Sequence, residues 1–146
     1  MSTPNSQSSR GTHRQNISGG APWEAKVGYS RAVRVGNQLL IAGTVAVDDD
    51  GAIIAPGDAY QQTKAILAKF DQILAEAGSG LHDVVRTRSF ITDINQWEQF
   101  GRAHGEAFGE IRPAATLVEV SGLMGEGAVI EIEADAIIAS PAPPSP

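Results

Sequence analysis

The chain has 146 residues, of which 42% are apolar and 19% are charged, and its formal net charge is −6 at pH 7. This length and composition indicate one domain with a single hydrophobic core. The sequence contains no cysteine, which excludes disulfides, thiolate nucleophiles, zinc–thiolate sites and iron–sulfur clusters. Because the chain is acidic and carries no basic patch with interleaved aromatic residues, we expect no nucleic-acid partner.

The two ends of the chain differ in composition from the rest. Residues 1–20 are mostly Ser, Asn, Gln, Gly and Thr, which is typical of a disordered tail, and they lack the apolar segment of a secretory signal. The Pro-rich segment 140–146 is predicted to be a second loose tail, so the folded domain spans 21–139. No apolar run approaches the roughly 20 residues that cross a bilayer. We therefore expect no membrane association and a cytoplasmic location.

The first half of the folded domain predicts a β-hairpin followed by a helix. Strand-like segments at 31–35 and 38–45 flank a Gly-Asn turn. The clearest helix is predicted over 58–77, where Asp58 can act as the N-cap and apolar residues recur at steps of three and four. Gly78 follows at the usual position of a left-handed cap.

The second half predicts strands at 84–92, 115–121 and 129–137 and a helix at 95–108. This order has no regular βαβ rhythm, which indicates an α+β fold with two helices on one face of a mixed sheet. The hairpin strand is apolar on both faces around 39–42. Because two helices cover only one face, we expect a second copy of the chain to cover the other.

The last strand alternates almost perfectly between apolar and acidic residues. The acidic side comprises Glu131, Glu133 and Asp135, and is named the acidic row below. Such rows usually pair with arginines on a neighbouring strand, and Arg86 and Arg88 are the candidates.

The order of these elements coincides with a recognisable set of residues. The matching stretches are Gly28-Tyr29, Val35-Gly36-Asn37-Gln38-Leu39-Leu40-Ile41-Ala42-Gly43, Gln62-Thr63, Ile73-Leu74-Ala75-Glu76-Ala77-Gly78, Asp83-Val84-Val85, Arg112-Pro113-Ala114-Ala115-Thr116-Leu117-Val118-Glu119-Val120 and Ile130-Glu131-Ile132-Glu133-Ala134. No single stretch is diagnostic, but their order and spacing together are specific. Over about 27–139 the chain resembles the reactive-intermediate deaminase family, also called Rid, YjgF-like or endoribonuclease L-PSP.

The resemblance implies a chorismate-mutase-like α+β fold and a homotrimer whose sheets form a central barrel, with ligand clefts between neighbouring subunits. The best-known members hydrolyse 2-imino acids, which arise from pyridoxal-phosphate enzymes, to 2-keto acids and ammonia. They use no metal and no cofactor, so the resemblance implies none here and a small metabolite as the ligand.

The resemblance also shows departures from the family pattern at substrate-binding positions. The family's substrate-binding arginine directly follows Pro-Ala on the fifth strand, where this chain has Ala115, and Leu117 replaces a small polar or thiol residue. A 2-imino monocarboxylate would then lack the bidentate cation that best binds a carboxylate. Arg112 lies three residues away, about 10 Å along an extended strand, and an odd offset points to the opposite face. We therefore expect no simple replacement of the missing arginine by Arg112, although Arg112 could still reach a neighbouring subunit's cleft.

Two residues of the family's cleft are retained. Glu131 stands where the family glutamate holds the hydrolytic water, and Tyr29 stands where a tyrosine borders the cleft. Each has a structural alternative, since Glu131 belongs to the acidic row and the ring of Tyr29 could simply pack under the hairpin. His104 lies on the apolar stripe of the second helix, where a histidine is most often half-buried and bonded to a carbonyl. Together with Arg112 it is the candidate for chemistry particular to this branch.

The sequence favours a hydrolase or deaminase of this family that acts on a reactive enamine or imine, or a related small metabolite, other than 2-iminopropanoate. The alternative is a non-catalytic homotrimer that binds a small molecule in its intersubunit cleft. Ribonuclease activity suits the acidic chain poorly, since no His/His or His/Lys pair is evident. A second fixed cation beside Glu131 would remove the reason for excluding 2-iminopropanoate.

Overall fold

The computed structural model describes residues 13–139, and the strands within them form one sheet. The strands are β1 (Arg14–Ile17), β2 (Ala32–Val35), β3 (Gln38–Val45), β4 (Val84–Ile91), β5 (Ala114–Glu119) and β6 (Ile130–Ile137), and the helices are α1 (Pro22–Val27), α2 (Ala59–Glu76) and α3 (Trp97–Phe108). Short 3₁₀ helices at Leu81–Asp83 and Ile94–Gln96 precede β4 and α3.

The sheet has the strand order β1-β2-β3-β6-β4-β5. Every neighbouring pair is antiparallel except β4 and β5, which run parallel. The predicted mixed sheet of an α+β fold is therefore confirmed.

The core lies between the sheet and helices α2 and α3. Asp58 begins α2 by accepting a 2.9 Å hydrogen bond from the backbone N–H of Gln61, as the sequence predicts for its N-cap. The fully buried residues include Ile66, Phe70 and Leu74 of α2 and Ile130, Ile132, Ala134 and Ala136 of β6. Burying each of the larger side chains contributes about 1.5–3 kcal/mol, so the helix is held mainly by its apolar stripe.

No element of the described residues gives the opposite face of the sheet such cover. Leu40 of β3 is 49% exposed and Val118 of β5 is 43% exposed, whereas Leu39 and Ile41, which flank Leu40, are buried on the helix side. This agrees with the expectation that a second copy covers the outer face. The homotrimer itself stays a prediction.

The N-terminal prediction of a disordered segment through residue 20 is wrong for 14–17, which form strand β1. The strand pairs antiparallel with β2, with Arg14 opposite Val35 and Ile17 opposite Ala32. A strand can be held at the edge of a sheet by backbone hydrogen bonds even when few of its side chains are apolar. In β1, only Ile17 packs against the core. Residues 1–12 and 140–146, also predicted to be tails, lie outside the described residues.

Candidate functional site

Glu131 lies on the face of β6 that points away from the helices, opposite Val45 of β3 and Phe90 of β4. Its carboxylate covers the backbone of Gly43: a Cβ at that glycine would collide with Oε2 and would lie 3.1 Å from Cδ. The local register of β3 and β6 shifts just before Thr44, so this contact is made at a β-bulge. Gly43 does not have the left-handed backbone conformation that favours glycine. The position of the Glu131 carboxylate is therefore what requires a residue without a side chain here.

The environment of Glu131 favours its neutral form. The pKa of its carboxyl group is raised, chiefly because burial desolvates the charge and also because Glu133 is negative nearby, while Arg31 acts in the opposite direction. A half-buried carboxylate with a raised pKa can accept a proton at a pH closer to neutrality.

Arg31 provides a fixed cation beside this carboxylate. Its Nη1 donates to the carbonyl oxygen of Gly43 at 2.8 Å and to Oγ1 of Thr44 at 2.7 Å. Its Nη2 donates to the hydroxyl of Tyr29 at 3.2 Å, and the guanidinium carbon lies 5.4 Å from the centre of the tyrosine ring. Among the described residues, no nitrogen of Arg31 lies within 4.0 Å of a Glu131 oxygen. The two charges interact but do not form an ion pair.

The rest of the acidic row is paired with another arginine. Nη1 of Arg88 lies 3.1 Å from Oε1 of Glu133 and 3.5 Å from Oδ2 of Asp135. The predicted pairing by Arg88 is confirmed, whereas that by Arg86 is wrong, because Arg86 forms no ion pair within residues 13–139. Glu131 is therefore distinct from its two neighbours in the row, which share one cation.

A second group of candidate residues lies on the helix side of the sheet. Ala115 is in register with Thr87, and Leu117 with Ser89, on the parallel strands β5 and β4. Residues in register share a face, and both Thr87 and Ser89 are buried beneath the helices. The position of the missing family arginine therefore points to the side of α3.

His104 lies beside this second group. Its Nε2 is 2.9 Å from Oγ1 of Thr87, and its ring packs between Phe100 and Phe108, with centroid separations of 5.3 and 4.7 Å. Burial lowers the pKa of the imidazole, so the ring is neutral at pH 7. The expected half-buried, hydrogen-bonded histidine agrees with this geometry, except that its partner is a hydroxyl instead of a carbonyl.

Arg112 differs from its sequence-based description. It lies in the turn that follows α3, with φ of 57° and a 2.8 Å hydrogen bond from its backbone N–H to the carbonyl of Phe108. Because β5 begins only at Ala114, the strand-offset argument about the direction of the Arg112 side chain is wrong. A role for this residue in a cleft stays a prediction.

The two groups cannot face a common cleft within one chain. Glu131 projects from the outer face of the sheet, whereas Ala115 lies on the helix face, since its partner Thr87 is in turn opposite the buried Ala134. A groove of about 310 Å³ between α2 and α3 contains neither residue. Any site that combines both groups therefore needs two copies of the chain.

Arg31 is the residue that sequence reasoning missed. Its signal was available, because Tyr29 and Arg31 are two residues apart and so share a side of an extended segment. Within residues 13–139, no three His, Asp or Glu side chains are arranged to hold a metal ion. None of the helices in that range is long and apolar enough to cross a membrane.

The chain is similar to known proteins over most of its length. Residues 20–138 match the family model described as Endoribonuclease L-PSP. An uncharacterized protein of Streptomyces coelicolor is 34% identical over 122 residues, covering 84% of this chain and 90% of the relative. The 3-aminoacrylate deaminase RutC of Acinetobacter baylyi is 33% identical over 104 residues, covering 71% and 82%.

A solved structure gives the same result. A member of the YjgF/YER057c/UK114 family from Mycobacterium tuberculosis is 42% identical and superimposes with a TM-score of 0.77, covering 86% of this chain and all of its own. Both the sequence match over residues 20–138 and the shared fold extend across the described domain. The chain therefore belongs to the endoribonuclease L-PSP family, also known as the YjgF or Rid family.

Proposed function

We propose that this protein is a cofactor-independent deaminase that hydrolyses a reactive enamine or imine, or a related small metabolite, with Glu131 positioning the attacking water. The observation that carries the proposal is the half-buried Glu131 carboxylate, which has a raised pKa and no ion-pair partner within residues 13–139. A relative whose name is 3-aminoacrylate deaminase supports the reaction class.

The chemistry requires one acid–base group and one water molecule. Water attacks the carbon of the protonated C=N bond, an iminium ion, and transfers a proton to the Glu131 carboxylate, which gives a neutral carbinolamine. Return of that proton to nitrogen allows the C–N bond to break, so that ammonia leaves, and the hydroxyl group gives its proton back to Glu131 as the carbonyl forms. An enamine first takes up a proton on carbon to become the iminium ion. The raised pKa of Glu131 suits both accepting and returning a proton.

The exclusion of 2-iminopropanoate rested on the missing cation at Ala115. Arg31 provides a fixed cation near Glu131, so that reason no longer holds, and 2-iminopropanoate stays among the candidate substrates. The carboxylate of a substrate would meet this cation in a different place from that of the best-known relatives, and this difference decides which imino acid fits.

The proposed cleft lies between two copies of the chain in a homotrimer. One copy contributes Tyr29 and Glu131, and the other contributes Ala115 and Leu117. The placement of these residues on opposite faces of one sheet supports this arrangement. Light scattering of the purified protein should give three times the 15.3 kDa mass of the chain. A monomer at assay concentration would contradict the cleft.

Activity is tested with substrates generated in the assay, because enamines and imines hydrolyse in water. Ammonia release is followed from a panel comprising 3-aminoacrylate, 2-iminobutanoate, an imino acid with a larger apolar side chain, and 2-iminopropanoate. We expect acceleration for at least one substrate of the panel, and about a 10²- to 10⁴-fold loss of it in Glu131→Gln, typical for a missing acid–base group.

The matched control is Glu133→Gln, which removes a neighbouring carboxylate of the acidic row and should keep activity within a few-fold. If no substrate is hydrolysed faster than in buffer, the proposed reaction is wrong and a binding role is favoured. Equal losses in the two variants would contradict the role of Glu131.

A further inference from the structure

We infer that Arg31 binds the carboxylate of an anionic substrate in this protein, an assignment that rests on the proposed function and specifies how its site selects a ligand. Position 115 cannot do so, because Ala115 has no polar side-chain atom. Arg31 would thus determine specificity from the side of the cleft opposite position 115. It belongs to the same copy of the chain as Glu131.

The guanidinium has hydrogen-bond donors to spare. An arginine side chain carries five N–H groups, and three of those in Arg31 are directed to Gly43, Thr44 and Tyr29. Within residues 13–139, Nε–H and the second Nη2–H have no acceptor. Two N–H groups on adjacent nitrogens can bind a carboxylate as a bidentate pair. The three existing bonds hold the guanidinium in place, so little side-chain freedom is lost on binding.

Among residues 13–139, no carboxylate compensates the charge of Arg31 by direct contact. Its three acceptors are a carbonyl and two hydroxyls, all neutral, whereas Arg88 is paired with Glu133 and Asp135. The side chain of Arg31 is only partly buried, so that a small anion can reach it. A partly buried cation with neutral partners attracts an anion more strongly than one already paired.

Neutral partners alone do not make a site, as Arg34 shows. That residue donates from Nε to Gly36 and from Nη1 to Ala77, both carbonyls, at the other end of β2. Arg31 differs because its Nη1 and the Glu131 carboxylate both lie at Gly43: Nη1 donates to its carbonyl oxygen, and the carboxylate occupies the space that a Cβ would need. An anion on Arg31 therefore brings the rest of a small molecule next to Glu131.

The test measures carboxylate binding separately from catalysis. The full-length protein is titrated by calorimetry with 2-oxobutanoate, a stable keto acid, and with 2-butanone, which has a methyl group in place of the carboxylate. We expect binding of the keto acid alone. Arg31→Gln should weaken it about 10- to 100-fold, as expected for loss of a charge-assisted hydrogen-bond pair, and the matched variant Arg34→Gln should bind like wild type.

A failed inference can be told apart from a failed reaction. Equal affinity in Arg31→Gln and wild type, or no binding of 2-oxobutanoate by wild type, would overturn the role of Arg31 whatever the activity assays give. Glu131→Gln should retain 2-oxobutanoate binding even though it loses hydrolysis. If Arg31→Gln does not fold, the Arg31 Nε–H resonance of the wild-type protein, assigned from Arg31→Lys, should shift on titration. An unchanged resonance would equally overturn the inference.

Discussion

The Glu131 carboxylate occupies the space that a side chain on Gly43 would need. This contact joins strands β3 and β6 at the bulge near Thr44 and places the carboxylate on the same residue that accepts a hydrogen bond from Arg31. The position of Glu131 thus depends on the absence of one Cβ in the neighbouring strand.

Gly43→Ala tests this dependence directly. The new Cβ would collide with the flexible end of Glu131, which can rotate away, so we expect the fold to survive at a cost of about 1–3 kcal/mol. Hydrolysis should fall by at least tenfold, because the carboxylate leaves its position. Thermal melting and kcat/KM measure the two effects.

The control for that substitution is Gly105→Ala in α3, where a Cβ would meet no atom within 4 Å. It should increase the free energy of unfolding by up to about 1 kcal/mol through helix propensity and leave kcat/KM unchanged. Full activity in Gly43→Ala would mean that Glu131 does not need its observed position.

Both the rate and the stability should depend on pH through Glu131. As a base, Glu131 must be ionised, so kcat/KM should rise with pH, with a midpoint above the ordinary pKa of glutamate because burial raises the pKa.

The raised folded-state pKa of Glu131 also affects stability. The contribution of this group to the free energy of unfolding is complete below its unfolded pKa, about 4.3, and is lost as pH rises through the folded value. Glu131→Gln should therefore be more stable than wild type at neutral pH, and the difference should vanish near pH 4 in denaturant titrations. A wild-type protein that is the more stable of the two at pH 7 would contradict this.

Local pattern predicted most of the fold. The alternation of β6 correctly places Ile132 on the buried face and Glu131 on the opposite face, and Asp58 caps α2 as expected. Both features depend on residues that are close in sequence. Strand β1 was missed, since its pairing with β2 is made by the backbone. The environment of Arg31 was missed for a related reason: its acceptors Gly43 and Thr44 lie 12 and 13 residues away, and the register of β3 shifts between Ile41 and Thr44, which no periodicity indicates.

His104 should act in stability and not in catalysis. Removing the ring in His104→Ala leaves the buried Thr87 hydroxyl without its partner and should cost about 1–3 kcal/mol, whereas His104→Gln can keep the hydrogen bond.

Stability should also depend on pH through His104. Because burial lowers the pKa of the folded-state imidazole, the wild type should lose stability as pH falls through the unfolded pKa near 6.5, where the unfolded chain takes up a proton. His104→Gln should reduce this dependence in unfolding titrations between pH 8 and 5. A large loss of kcat with unchanged stability in His104→Gln would instead indicate catalysis.

Restoring a guanidinium at position 115 should change substrate preference. Ala115 is exposed and in register with Thr87, so Ala115→Arg introduces the cation on the helix face, where we expect the neighbouring copy's cleft to lie. A bidentate pair with the carboxylate should raise kcat/KM for 2-iminopropanoate about 10- to 100-fold, measured by ammonia release.

Ala114→Arg is the matched control, because it adds the same charge to the same strand but lies in register with Arg86 on the opposite face. If both variants, or neither, gain activity, then position 115 does not line the cleft, and the proposed assembly of the site from two faces of neighbouring sheets is wrong.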